Sequence, residues 1–310
     1  MAMSRWLESV SSGVWRVVRC VVPGLLAALG LAAQAQDTDT LRKIAETGTI
    51  SLGHRESSVP FSYYDARHQV IGYSQDLMLK VLDDVKAELK LPALTVRLVP
   101  VTSQNRIPLL QNGTVDLECG STTHNLERER QVAFSTSIFV IGTRLMTHKT
   151  SGIHDFTDLA RRRVVVTTGT TSERLLRLHN ERSGGQIDIV LAKEHGESFR
   201  LLEAGRADAF MMDDALLYGE RAKARRPEDW VVVGTPMSSE VYGCMMRRGD
   251  SAFKAVIDRG LTRLMQSGEA LKIYQRWFQK PIPPKGLNLN WPPSDALLEL
   301  YRSPRDKPLG

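Results

Sequence analysis

With 310 residues, 42% apolar and 25% charged, the chain can form one large domain or two medium ones with proper cores, and its composition excludes a disordered or fibrous protein. A formal charge of +6 without any dense Lys/Arg run interleaved with aromatics excludes a nucleic-acid binder, while a modest basic excess suits an acidic small ligand.

The first 35 residues differ from the rest. Arg5, Arg16 and Arg19 precede CVVPGLLAALGLAA, about fourteen residues without charge, and Ala33-Gln34-Ala35 follows. A basic start, a short apolar run and small residues form a secretory signal, with cleavage expected before Gln36. A membrane anchor is the alternative, but so short a stretch, containing one Pro and two Gly, spans poorly. Cys20 follows Arg19 rather than a Leu-small-small run, so lipid attachment is not expected. Removing residues 1–35 takes away three Arg and one Glu and leaves a formal charge of +4. No later stretch reaches the uncharged length of a spanning helix, which predicts a soluble protein outside the cytoplasm.

From residue 49 onward, apolar runs of strand length alternate with helical patterns: TISLGH, SQDLMLKVLDDVKAEL, LTVRLVPV, NRIPLLQNG and TVDLECG. This rhythm predicts an α/β fold with a mostly parallel sheet. A second series begins at RVVVTTG and continues through TSERLLRLHN, DIVLA, ESFRLLEAG, RADAFMMDD, ALLYGERAKA and WVVVG. Two series suggest two lobes, and no fixed-period repeat points to a solenoid. The tail from Ser251 reads as two helices, ended at Lys280-Pro281-Ile282-Pro283-Pro284, with Trp277 and Phe278 expected as packing anchors. Cys119 and Cys244 survive leader removal; an oxidising compartment permits their pairing, and two separately buried thiols are the alternative.

Ligands of open parallel sheets sit beyond the carboxyl ends of the strands, so three strand ends carry the chemistry. The first is GSTTHNLERERQVAFS, residues 120–135. In an extended chain Ser121 and Thr123 project to one side and Thr122 to the other. Arg128 offers a fork that holds a carboxylate by two parallel hydrogen bonds, unless Arg128 and Arg130 lie on a solvated helix face balanced by Glu127 and Glu129. The second is TTGTTSE, residues 167–173, where Thr170 and Glu173 fit a capping box and a helix start offers unpaired N–H groups to an anion. It lacks the pattern of a nucleotide loop, and as a plain cap it needs no ligand. The third, AFMMDDALL at 209–217, ends in two carboxylates: Asp214 can cap the next helix, which leaves Asp213 for a ligand ammonium. An Arg fork, hydroxyls, a helix start and a lone Asp together suit an α-amino acid zwitterion.

Over roughly Asp39 to the end, including TSQNRIPLLQNGT, ECGSTT, GTTSE, FMMDDALL, GERAKA, SGEA and KPIPPK, the sequence resembles the periplasmic solute-binding proteins of polar amino acid ABC importers (extracellular solute-binding protein family 3), and among them the glutamate/aspartate-binding members. The resemblance implies a two-lobed type II fold with two mixed sheets flanked by helices and a ligand cleft between the lobes. Residues 36–143 and 238–310 would form lobe 1 and residues 144–237 lobe 2, with crossings near Gly142–Thr147 and Gly234–Gly243. It also implies that Arg128, with Thr123, Thr170 and Thr171, holds the ligand's α-carboxylate, and that Asp213 with Ser121 takes its ammonium. Arg55, Ser103, Arg106 and His195 would surround a distal carboxylate, and His195 would make affinity depend on pH. A second buried carboxylate needs cations or several donors, which is what this last set supplies. No metal or cofactor is expected; the partners implied are glutamate or aspartate and the permease subunits of an importer, with the protein itself a periplasmic monomer. Two rivals belong to other classes: a secreted dehydratase of amino-acid-like acids, which would need a free acid or base, and a sensory module serving a separate receptor.

Overall fold

The computed structural model describes residues 39–286 and 288–309. The expected leader and its cleavage site lie outside the described residues. In chain order the elements are α1 (Thr40–Thr47), β1 (Thr49–His54), β2 (Ser57–Ser58), β3 (Ser62–Tyr64), β4 (Val70–Ile71), α2 (Tyr73–Leu89), β5 (Thr95–Pro100), α3 (Arg106–Gln111), β6 (Leu117–Glu118), β7 (Thr123–His124), α4 (Leu126–Glu129), β8 (Val132–Ile141) and β9 (Thr143–His148). There follow β10 (Arg163–Thr167), α5 (Thr171–Arg182), β11 (Asp188–Ala192), α6 (His195–Glu203), β12 (Ala209–Asp213), α7 (Asp214–Lys223), β13 (Trp230–Val233), β14 (Glu240–Arg247), α8 (Ser251–Gln266), α9 (Glu269–Phe278) and α10 (Asp295–Arg302).

The strands form two main sheets. The first has the order β5-β1-β6-β14-β7, with β8 also paired to β14. The second has the order β11-β10-β12-β9-β13, and β2, β3 and β4 make a small third sheet. Each main sheet has a parallel part, β5-β1-β6 or β11-β10-β12, extended by antiparallel strands. The expectation of mostly parallel sheets is corrected here: β8 and β9 follow one another with only Gly142 between them, one joining each sheet, and each pairs antiparallel with its neighbours, β8 with β14 and β9 with β12 and β13. The chain therefore leaves the first sheet after Ile141 and returns to it at Glu240.

Periodicity explains the packing. Leu77, Met78, Val81, Leu82 and Val85 recur at helical spacing on α2, are buried, and meet the Val256, Ile257, Leu261 and Leu264 face of α8. Around Phe61 an aromatic cluster closes the first core, with Phe139 at 4.8 Å, Tyr242 at 5.1 Å and Phe278 at 5.7 Å between ring centroids. Trp277 and Phe278 are packing anchors, both buried, and the Trp277 indole donates to Asp76 Oδ2 at 2.7 Å. A second core under the second sheet joins Leu145, Phe156, Val164, Val166, Leu176 and Met211. Among the described residues no helix is long and apolar enough to cross a membrane.

The two cysteines, left open by the sequence, are joined as Cys119–Cys244. Their strands are antiparallel neighbours, with Glu118 opposite Met245, so the next opposed positions are the cysteines and their Cα atoms lie 4.3 Å apart. The bond ties together strands 125 residues apart in sequence. A loop that long gives a cross-link a large effect on the unfolded chain, and replacing both by Ser is expected to cost about 2–4 kcal/mol. Chemical denaturation with and without reductant checks this. Free-thiol titration of unfolded, unreduced protein lacking residues 1–35 should find no reactive group.

Candidate functional site

All ten residues expected at the site are buried, none more than 9% exposed, and they converge between the two sheets. They arrive there because parallel strands of both sheets end at the same crevice. Arg55 follows β1, Arg106 opens α3 after β5, and Ser121 and Thr123 follow β6. From the second sheet, Thr170 and Thr171 follow β10, His195 follows β11, and Asp213 ends β12.

The first strand end departs from the expected alternation. Strand pairing stops at Glu118, the chain turns at Gly120, and β7 begins only at Thr123, so the side chains do not simply alternate. Thr122 turns inward and accepts from Arg106 Nη1, while its own hydroxyl donates to Glu118 Oε2 at 2.8 Å. Ser121 donates to Ser58 Oγ at 3.2 Å and its carbonyl accepts from Arg106 Nη1 at 3.3 Å. Arg128 lies on α4 and is turned inward, not along a solvated face: Nη1 donates to Thr123 O at 2.7 Å and Nη2 to Gly169 O, on the opposite side of the crevice, at 3.3 Å. Asn125 sets this orientation by capping α4 through the Arg128 N–H at 2.9 Å.

At the helix start of α5, Thr170 Oγ1 accepts from Glu173 N at 3.1 Å, as a cap should. The reciprocal half of the box falls one residue early, since Glu173 Oε2 accepts from Gly169 N at 2.8 Å. Thr170 Oγ1 donates to Thr167 O and Thr171 Oγ1 to Glu240 Oε2, so what this turn leaves toward the crevice is backbone N–H groups at the helix's positive end. Thr171 also faces Thr123 across the crevice at 3.4 Å.

Asp213 occupies the N-cap position of α7 but makes no capping bond; Asp214, expected to be the cap, lies in the first helical turn and accepts from Ala215 N at 2.8 Å. Asp213 instead accepts from Tyr242 OH, from Ser172 Oγ at 3.2 Å and from Thr143 Oγ1 at 3.5 Å. Burial, reinforced by the Glu240 carboxylate, pushes it up to about 7.

Arg55, Arg106 and His195 form the remaining group. Arg55 Nη2 donates to Glu194 Oε2 at 2.9 Å across the crevice, yet its Nε and Nη1 are buried without partners. Arg106 Nε, Ser103 Oγ and His195 Nε2 are likewise buried and unpartnered. Burial, then the neighbouring Arg128, press Arg106 down to about 9, still charged near neutral pH. His195 opens α6 with Nδ1 against Thr167 Oγ1 at 2.9 Å. The expectation that its titration near 6.5 tunes affinity is corrected: burial, then Arg55, Arg106 and Lys223, hold the imidazole well below its ordinary value, so it is neutral at physiological pH.

Several residues of the crevice escaped sequence reasoning. Glu118, fully buried, carries an unpartnered Oε1 beside the arginines it offsets. Glu194 and Glu240 supply carboxylates to Arg55 and Thr171. Tyr242 supports Asp213 from β14. An acidic residue at the carboxyl end of a strand, as in VDLEC, was the available signal for Glu118. Among the described residues no cluster of three or more His, Cys, Asp or Glu could hold a metal ion.

Two cationic ends, a carboxylate held near neutrality and a helix N-terminus, set in a crevice between two α/β sheets, describe a receptor for a small zwitterion rather than a centre for bond-making. Comparison with known proteins agrees. The chain is 59% identical over 288 residues to the L-glutamate/L-aspartate-binding protein of Pseudomonas aeruginosa, covering 93% of this chain and 95% of that one. It is 56% identical over 282 residues to the glutamate/aspartate import solute-binding protein of Escherichia coli K12, covering 89% and 93%. A crystal structure of an arginine-binding protein variant from T. maritima superimposes with a TM-score of 0.68 at 26% identity, over 77% of this chain and 99% of that one. With residues 50–280 matching the family as a whole, the chain belongs to the bacterial extracellular solute-binding proteins, family 3, and has their two-lobed fold.

Proposed function

We propose that this protein captures glutamate or aspartate in the periplasm, closes its two lobes over it, and delivers it to the membrane permease of an ABC importer. Residues 36–143 and 238–310 make one lobe and 144–237 the other, with the leader removed on export. The observation that carries the ligand class is the set of buried, unpartnered polar atoms on Arg55, Ser103, Arg106 and His195. Buried donors without partners are costly, and one carboxylate satisfies several of them at once. The two relatives above, named for glutamate and aspartate, support the same reading.

In this reading Arg128 and the α5 N–H groups hold the α-carboxylate, Asp213 with Ser121 holds the ammonium, and Arg55, Ser103, Arg106 and neutral His195 hold the distal carboxylate through Nε2–H. Contacts come from both lobes only in the closed form, so ligand shifts the population toward closure. The further carboxylates of the crevice are engaged with its own side chains, Glu118 with Thr122, Glu194 with Arg55 and Glu240 with Thr171, and the two relatives named for binding support capture over the dehydratase reading.

Calorimetry against a panel of amino acids tests the assignment. Arg128→Ala should weaken every amino acid by on the order of 1000-fold, because the α-carboxylate loses a buried charged partner. Arg106→Ala should weaken glutamate and aspartate far more than glutamine; equal losses would contradict the distal pocket.

A second expectation concerns pH. Asp213 has a folded value of about 7, above the ordinary carboxylate range, so its contribution to stability is full below about pH 4 and is lost as pH rises through about 7. A bound ammonium favours the ionised carboxylate. Binding at pH 6 should therefore release up to about one proton, and at pH 8, where Asp213 is mostly ionised and Arg106 still mostly charged, almost none. Calorimetry at each pH in buffers of different ionisation enthalpy measures this count, and Asp213→Asn should abolish it while raising the ligand-free thermal midpoint at pH 8.

A further inference from the structure

Beside the polar contacts, the two lobes meet along a seam where side chains are missing. α7 belongs to the second sheet, and it lies against the turn that follows β2, which belongs with the first. A Cβ built on Gly219, inside α7, would lie 2.0 Å from the Val59 carbonyl oxygen, 2.7 Å from its carbon and 3.2 Å from the Val59 Cβ. Two of those atoms are backbone, so no rotamer change relieves the clash. The three nearest atoms all belong to Val59, across the seam, and none to the lobe that carries the helix.

Gly219 also has no local reason to be glycine. Its φ is not in the left-handed region, and in a helix interior alanine is the better residue. Two more glycines stand on the same seam. A Cβ on Gly169 would meet Gln104 Cγ at 2.9 Å and the Ser103–Gln104 peptide at 3.0 Å, and one on Gly196 would reach Ser57 Cβ at 3.5 Å. Gly169 has a positive φ and needs glycine for its turn in any case. Gly219 is the position where the other lobe alone forbids a side chain.

We propose that Gly219 is a closure-determining residue: its missing side chain lets α7 seat on the Val59 carbonyl, and so sets the affinity for every ligand of the cleft without touching any of them. The inference rests on the closure mechanism proposed above. It separates two functions. The arginines decide which solute is held, through charge; Gly219 decides how fully the lobes shut, through volume. A substitution there is blind to ligand charge.

The test needs a readout of closure that does not depend on knowing the ligand. Ser57→Cys with Gly196→Cys supplies one, because the Cβ separation of 3.5 Å is within disulfide reach when the seam is shut. Oxidative cross-linking of this pair is followed by non-reducing electrophoresis, with and without Gly219→Ala. The expected result is a cross-link in the pair alone, slowed about ten- to hundredfold by Gly219→Ala, the range of an overpacked contact. In the protein without added cysteines, Gly219→Ala should weaken glutamate and aspartate by one common factor in that same range, with a ligand-free thermal midpoint no lower than before. An unchanged cross-linking rate, a pair that never cross-links, or a factor that differs between ligands overturns the proposal. So does a lowered ligand-free midpoint, which would make Gly219 a packing residue of its own lobe. Slowed cross-linking in a protein that fails to bind glutamate or aspartate keeps this inference and removes the ligand assignment instead.

Discussion

Three guanidiniums, those of Arg55, Arg106 and Arg128, are buried in one crevice, and the rest of the site follows from the need to offset them. Like charges brought together out of water repel and lose hydration at once, and a buried charge left without compensation is strongly destabilising. Glu118 lies beneath two of them and reaches Arg106 through Thr122. Glu194 and Glu240 come from outside that group, the first at the start of α6 and the second on β14, and their carboxylates offset Arg55 and Arg128. The arrangement is asymmetric: the cations sit on the side of the first sheet, while the second contributes a helix N-terminus, a neutral imidazole and Asp213. A guest with an acidic group at each end complements the first side, and its ammonium complements the second.

β14 is where these demands meet. Along one strand it presents Glu240 to Thr171, Tyr242 to Asp213 and Cys244 to Cys119. Glu240, Tyr242 and Cys244 are alternate residues of the strand, and its pairing with β8 shifts register around Gly243, between the second of them and the third. Because this strand begins where the chain returns from the second sheet, the crossing, the disulfide and the hydroxyl that supports Asp213 all lie on one strand. Asp213 is thus supported by Tyr242 through direct contact rather than through a long loop.

Much of this was legible in the sequence, and the part that was not has a physical explanation. TISLGH and DIVLA are strands over the same residues that the pattern marks, and the α2, α8 and α9 segments are helices where apolar spacing asks for them. Such segments are decided by their own periodicity. The ten residues expected at the site lie buried together because strand ends of both sheets meet at one crevice, and the resemblance had named the distal set. β8, β9 and β14 were missed since an antiparallel strand running into the other sheet leaves no alternating helix to announce it. The turn at Gly120 hid Thr122, for alternation holds only while pairing continues. Glu118 and Glu194 escaped because an acidic residue reads as surface until its cationic partner, far away in sequence, is known. The His195 expectation failed for a related reason: its neutrality is set first by burial and then by Arg55 and Arg106, neither of them near it in the chain.

In the proposed reading, selectivity and strength of binding rest on different chemistry. The arginines that would meet the ligand are already partly offset by Glu194, Glu118 and Glu240, so exchanging a resident carboxylate for a guest's would change their energy less than forming a pair from nothing. Closure supplies what remains: it excludes water from the crevice, lowers the local dielectric, and makes every remaining contact count for more. If the lobes close as proposed, the close approach of Val59 and Gly219 is an electrostatic element although it carries no charge, because the depth of closure would decide the medium in which Arg55 and Arg106 meet the guest.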